Sequence, residues 1–149
     1  MKRLLIDSMR KKADGPAFEK EFKDAVVEKY YARRLHTAFT PNPADFIVVG
    51  KRFNYAEVKE TAQESFSLAT LQQLSEMRDY VKHRELYKDT ALKESKYWLI
   101  VHFLSFGVIK VLEVSQVFDL LKKRTTLKPT TDCYSYSNLK ELIEGGELF

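Results

Sequence analysis

The sequence predicts an α/β fold, with a mixed central β-sheet flanked by helices. Three observations carry this expectation. After Gly15-Pro16, residues Phe18, Phe22, Ala25, Val26 and Tyr30 recur at helical spacing, which defines one buried stripe. Phe46-Ile47-Val48-Val49 and Phe53 to Val58 flank Gly50-Lys51-Arg52, and β-branched and aromatic runs on either side of such a break read as a β-hairpin. Tyr97 to Leu104 is a nearly continuous apolar run of eight residues, the pattern of a central strand covered on both faces.

Taken in order, residues 1 to 13 are basic and without a clear period, and read as a mobile arm. The first helix starts at Gly15-Pro16, with proline at the first helical position, and runs to about Arg34. Leu35 to Thr40 reads as a short strand, and Pro41-Asn42-Pro43 as a turn. The hairpin follows, then a polar loop from Thr61 to Ser67. Thr70-x-x-Gln73 has the form of a capping box. It opens a helix with Leu71, Leu74, Met77 and Val81 inward. The charged stretch Glu85 to Lys96 ends that helix and leads to the strand Tyr97 to Leu104. Ser105-Phe106-Gly107 turns the chain into a strand from Val108 to Val114. Ser115 caps a short helix, Gln116 to Lys123. Residues 125 to 137 read as irregular, and Asn138 caps a last helical turn, Leu139 to Ile143, stopped by Gly145-Gly146. The order helix, two or three strands, helix, two strands, helix makes one layered α/β domain over residues 1–149, without internal repeats.

Bulk properties narrow the function. At 149 residues the chain can bury an ordinary core. A net charge of +4 permits a polyanionic partner without requiring one. Five cations, Lys2, Arg3, Arg10, Lys11 and Lys12, lie in the first twelve residues against Asp7. Lys122, Lys123, Arg124 and Lys128 form a second basic group. Either group reads first as a solvated terminus or loop. Cys133 is the single cysteine, which excludes an internal disulfide and a cysteine zinc site. His36, His83 and His102 are too dispersed for a metal motif and read as ordinary surface or strand histidines. The longest apolar run is far short of the roughly twenty residues of a membrane span. Leu4-Leu5-Ile6 is too short for a signal-peptide core, so a cytosolic protein without a membrane partner is expected.

The chemistry concentrates in the hairpin. Glu57 and Lys59 lie two apart on a strand and share a face, and the hairpin returns them beside Asp45. Two carboxylates and a lysine at strand ends can hold a divalent cation and act on a phosphate. A lone Glu-x-Lys is more often a solvated ion-pairing face, so the flanking residues matter. Glu19 falls within the arc of the first helix's buried stripe, where an unpaired carboxylate is costly; alternatively it favours the helix dipole near the start. Gln73 lies on the border of the second helix's inward face, or only caps that helix.

Pro43-Ala44-Asp45 followed by Glu57-Val58-Lys59 resembles the PD-(D/E)xK nuclease motif, with the proline displaced by one residue. Lys59-Glu60-Thr61, Ser65-Phe66-Ser67-Leu68, Gln73 and Met77 resemble the RecU family, the Holliday junction resolvases of Gram-positive bacteria and some of their phages. The resemblance spans about Gly15 to Val117. It implies a restriction-endonuclease-like core of helix, three strands, helix and strand. It also implies a homodimeric, Mg²⁺-dependent endonuclease, with Mn²⁺ as a substitute, that cuts branched DNA in recombination and repair.

On the Gly15-x-x-x-Glu19 pattern and Gln73, the resemblance adds Glu19 and Gln73 to Asp45, Glu57 and Lys59 as catalytic residues. Asp45, Glu57 and the Val58 carbonyl are the expected metal ligands. Lys2, Arg3, Arg10, Lys11, Lys12, Lys51, Arg52 and Thr61 are the expected DNA contacts. RecU proteins insert a long stalk between the first helix and the aspartate. Here residues 35 to 44 alone make that connection, so most or all of the stalk is missing. Two further readings stand beside this one: a restriction-type or other repair endonuclease of the same superfamily, and a non-catalytic nucleic-acid-binding module on the same scaffold, which has no need of a metal. Aromatics at Tyr30-Tyr31, Phe53 to Tyr55 and Tyr134 to Tyr136 are candidate dimer-interface material, or they complete the chain's own core.

Overall fold

The computed structural model describes residues 15–35, 42–87, 90 and 92–149. Helix α1 spans Gly15–Val26. Phe18, Phe22 and Val26 are buried along its length, as their i, i+4, i+8 spacing dictates. The helix stops eight residues earlier than the sequence suggests. Tyr31–Arg34 is instead strand β1, paired antiparallel with β2 (Phe46–Val49), Tyr31 opposite Val49 and Arg34 opposite Phe46. Val26-Val27 and Tyr30-Tyr31 are β-branched and aromatic pairs that lose side-chain freedom in a helix, and strand pairing outweighs the weak helical continuation. The chain closes the turn through Tyr30 N–H to the Val26 carbonyl, 2.9 Å. Of the strand expected at 35–40, Leu35 donates its N–H to the Asp45 carbonyl; residues 36–41 and the basic arm lie outside the described residues.

β2 and β3 (Phe53–Thr61) form the expected hairpin, with Phe46 opposite Ala56 and Val49 opposite Phe53. β4 (Lys96–Phe103) lies parallel to β3, and β5 (Val108–Glu113) returns antiparallel. Between them Gly107 takes a left-handed φ of 60°. Between β3 and β4 the chain makes helix α2 (Leu74–Leu86). Helix α3 (Val114–Lys122) follows β5. A short β6 (Tyr134–Tyr136) emerges from the stretch read as irregular. Helix α4 (Leu139–Glu144) follows, capped by Asn138 as expected. The result is a mixed six-stranded sheet in the order β1 to β6, opened by the expected helix–strand–strand–strand–helix–strand succession.

One core lies between the sheet and α1 and α4, and contains Phe18, Phe22, Phe46, Val58, Trp98 and Ile100. The other lies under α2 and α3, and contains Met77, Tyr80, Tyr97, Leu99, Val101 and Leu112. Among the described residues, no helix is long and apolar enough to cross a membrane.

Two caps differ from expectation. Helix α2 starts after Gln73, whose side chain makes no capping bond, while the Thr70 hydroxyl donates to the Ser67 carbonyl. A short 3₁₀ turn, Leu68–Thr70, thus consumes the threonine that the capping box requires. At α3 the cap is Glu113 rather than Ser115: its carboxylate accepts the Ser115 N–H, and Gln116 reaches back to the Glu113 N–H. A glutamate held by Arg84 at 2.9 Å is already positioned to accept, and its pKa is lowered by the Ser115 and Arg84 hydrogen bonds, which outweigh its burial.

Asn54 anchors the hairpin inside the first core. It is fully buried, donates to the Val48 and Arg52 carbonyls at 3.1 Å each, and accepts the Trp98 indole N–H at 3.0 Å. Asn54→Ala leaves that indole N–H unsatisfied in the core. The expected loss is about 2–4 kcal/mol, seen as a melting temperature lower by about 5–12 °C. An unchanged thermal melt would mean that the hairpin does not depend on this residue.

Candidate active site

β2 begins at Phe46, opposite Ala56, while β3 runs on past that pair beside β4. The side chain of Asp45 fills the place that a continuing strand would occupy. Val58 N–H donates to Asp45 Oδ2 at 2.9 Å, and Asp45 N–H donates to Glu57 Oε1 at 3.0 Å. Each acidic residue thus takes a hydrogen bond from the other's strand. In an extended strand, the N–H and C=O of one residue point to the same edge. The Val58 carbonyl is therefore directed to this side. Glu57 and Lys59 stand beside Leu99 and Val101 of β4, which places them on the α2–α3 face. Lys59 Nζ lies 3.4 Å from Glu57 Oε2, and its side chain is 31% exposed while that of Glu57 is fully buried.

Burial and the neighbouring Asp45 charge raise the Glu57 pKa from 4.5 to about 8, against a smaller pull downward from Lys59. Glu57 Oε2 is buried and receives no hydrogen bond. Two carboxylates in contact, one with an unsatisfied buried oxygen, suit a hard divalent cation. Mg²⁺ is commonly held by one or two carboxylates while retaining several waters. Among the described residues, no three His, Cys, Asp or Glu side chains already converge as a metal cluster. The groups here that could hold a cation are the carboxylate pair and the Val58 carbonyl beside it.

Glu19 approaches from α1, on the opposite face of the sheet. Burial first, then the Asp45 charge, raise its pKa, while Arg34 and Lys59 lower it. It therefore feels the site electrostatically, but its carboxylate is engaged by Arg34 Nε at 2.9 Å. Glu19 and Arg34 line a groove of about 330 Å³ with Lys20, Lys23 and Phe46. Gln73 lines a second groove, of about 320 Å³, with Asn42, Gln72, Ser75 and Glu76. Its Oε1 is buried without a partner, and Asn42 is three residues before Asp45 in the chain.

No protein-family model matches the chain, and no curated protein matches its sequence. Among solved structures, one similar chain is Hjc, a Holliday junction resolvase from the archaeal hyperthermophile Archaeoglobus fulgidus. The two align with a TM-score of 0.46 and 14% identity, over 78% of this chain and 92% of that one.

The expected DNA contacts divide. Thr61 ends β3 two residues beyond Lys59, and its hydroxyl accepts the Gln63 N–H. Lys51 and Arg52 sit at the hairpin tip. Five residues of strand place Arg52 about 16 Å from Glu57, and the Lys51 N–H is bound to the Phe149 carbonyl. Lys2, Arg3, Arg10, Lys11 and Lys12 lie outside the described residues.

Two neighbours of the site escaped sequence reasoning. Tyr97 donates its hydroxyl to the Pro43 carbonyl, which fixes the chain just before Asp45. Burial, then Glu57 and Asp45, raise its pKa. In sequence it is one more apolar residue of a central strand, and no local signal marks it. Arg34 was hidden because the first helix was extended over it. Had β1 been recognised, alternation along the strand would have pointed Arg34 to the Phe46 side and toward Glu19.

Proposed function

We propose that this chain is a metal-dependent endodeoxyribonuclease that hydrolyses phosphodiester bonds in branched DNA, with junction resolution as its most specific form. The observation that carries the proposal is the reciprocal Asp45–Glu57 clasp, with its unsatisfied buried oxygen and Lys59 at 3.4 Å. An ion-pairing strand face has no reason to bury one carboxylate against a second, half-buried one.

In this reading Asp45, Glu57 and the Val58 carbonyl hold Mg²⁺, which, when bound, polarises a phosphate oxygen and acidifies a water. Lys59, its side chain partly in solvent, orients the attacking water and steadies negative charge as it builds on the phosphate. Glu19, restrained by Arg34, adds negative potential that favours the cation, and Gln73 hydrogen-bonds from the groove beside Asn42. Tyr97 holds the loop that presents Asp45. The short connection between β1 and Asp45 favours a second reading within the same class, a nicking or duplex-directed endonuclease without a junction-filling stalk.

A cleavage panel with Mg²⁺ tests both readings: four-way junction, flap, linear duplex and single strand of one sequence. Preferential cutting of the junction supports resolution, and equal cutting of the duplex favours the second reading. No cutting of any substrate, with DNA still bound, would leave a binding module. Paired junction cuts also need two sites related by a two-fold axis. A homodimer of about twice the 17.4 kDa chain mass is therefore expected by sedimentation at micromolar concentration. Tyr31 and Tyr134 are the exposed members of the aromatic groups named above, whereas Tyr136 is buried. A stable monomer, alone and on DNA, would remove paired resolution and leave nicking.

A further inference from the structure

We propose that the turn after α3 is a phosphate-binding cradle, in which Arg124, with Ser67, Thr125 and Thr126, grips the backbone of a DNA strand leading to the Asp45–Glu57–Lys59 site. The inference rests on the nuclease reading for its occupant and on separate observations for its existence.

The first observation is conformational. Arg124 has a φ of 54°, and no other non-glycine residue among those described has a positive φ. Its N–H donates to the Leu121 carbonyl at 3.1 Å, and the Thr125 N–H donates to the Leu120 carbonyl at 2.9 Å. This is the left-handed position that closes a helix C-terminus, where glycine is the usual occupant because a Cβ is strained there. Glycine would serve the turn better, yet an exposed arginine stands there. Among the described residues its guanidinium has no ion pair or hydrogen bond that would offset the strain. The left-handed turn itself closes the helix, but a glycine would close it without the strain, so the arginine at this position points to a use for its side chain.

The second observation is the surroundings. Arg124 lines a cavity of about 240 Å³ with Ser67, Thr125 and Thr126, floored by Leu68 and Leu121. Hydroxyls beside a guanidinium offer the donors that a phosphate takes; that of Thr125 donates to the Lys123 carbonyl at 3.3 Å and would have to turn from it. Lys122, Lys123 and Lys128 lie within four residues of Arg124 in the chain and are exposed, so this basic group, a plain solvated loop in sequence, flanks the turn whose Arg124 lines the concavity.

The third observation is position. Phe66 and Leu127 exchange backbone hydrogen bonds at 2.8 and 3.1 Å, which ties the turn to the loop that leaves β3 just after Lys59. The Ser105 hydroxyl donates to the Ala62 carbonyl and pins the same loop. Leu68 and Leu127 belong to the core on the face that carries Glu57 and Lys59. Ser67 is the eighth residue after Lys59, at most about 26 Å of extended chain. That is within about eight nucleotides along one strand, at 3.4 Å each.

The test compares wild type, Arg124→Gly and, as a control on the α1–α4 side, Lys140→Ala, using the full chain. Thermal melts are recorded, together with anisotropy of a labelled four-way junction and a labelled duplex in Ca²⁺ over a salt series. Arg124→Gly is expected to raise the melting temperature by about 2–4 °C, to weaken DNA binding by about 3–10-fold, and to lower the slope of log affinity against log salt by about one. Lys140→Ala is expected to leave the slope unchanged. If the wild type cuts in Mg²⁺ and Arg124→Gly keeps full affinity and slope, the cradle is refuted and the nuclease reading is untouched. If Arg124→Gly shows the weaker, shallower binding while the wild type cuts no substrate, the cradle stands and the nuclease reading falls.

Discussion

Glu57→Gln protein is expected to lose Mg²⁺-dependent cleavage by about 10²–10³-fold or more while its metal-free form becomes more stable than wild type. The opposite signs follow from one cause. Glu57 is buried against Asp45, and its pKa is raised from 4.5 to about 8. A carboxyl whose folded pKa lies above its unfolded value contributes stability that is fully present below about pH 4.5. That contribution is lost as pH rises through about 8. Above that pH the ionised pair is a burden of a few kcal/mol, which bound cation offsets and which glutamine does not carry. The amide oxygen of glutamine can still accept the Asp45 N–H, so the clasp geometry survives.

Metal-free melts at pH 5.5 and 8.5 should therefore diverge. Wild type loses stability between them relative to Glu57→Gln, by about 5–10 °C in melting temperature. Adding Mg²⁺ at pH 8.5 should restore the wild type and leave the variant unmoved, because ligand binding stabilises only a state that binds it. Equal melts of the two proteins at both pH values would remove the electrostatic account of the site. Full cleavage by the variant would remove the catalytic one.

Lys59→Ala is expected to cut slower by about 10²–10⁴-fold at saturating Mg²⁺, with DNA affinity changed by less than about threefold. The ammonium sits 3.4 Å from Glu57 Oε2, on a side chain that is partly in solvent beside the buried Glu57 carboxylate. If its work were structural, its loss would further raise the Glu57 pKa and weaken metal binding, and excess Mg²⁺ would then restore the rate. If its work is on the reacting phosphate, excess metal does not rescue. Single-turnover rates over a Mg²⁺ titration separate the two. A rate that returns to the wild-type value at high metal would make Lys59 a support for Glu57 and no more.

Much of the architecture was legible in the chain because it depends on local pattern. The i, i+4 stripe of Phe18, Phe22 and Val26 and the β-branched hairpin are period signals that any burying fold must respect. The eight-residue apolar run at Tyr97 and the Asn138 cap are equally local. The pairing of Asp45 with Glu57 and Lys59 was legible for the same reason, since a hairpin's register follows from its turn. Contacts between distant segments were not. Tertiary pairing ended α1 at Val26 and made Tyr31–Arg34 an edge strand, which turned Arg34 onto Glu19. Packing around β4 put the Tyr97 hydroxyl on the Pro43 carbonyl. A single bridge, Phe66 to Leu127, carried a basic turn from a remote helix to the loop after Lys59. Sequence alone determined which residues could be charged and which must be buried. Only the folded chain decided that Glu57 is both, because its carboxylate lies beside the end of the β2–β3 pairing, where the Asp45 N–H takes one oxygen and no hydrogen bond reaches the other.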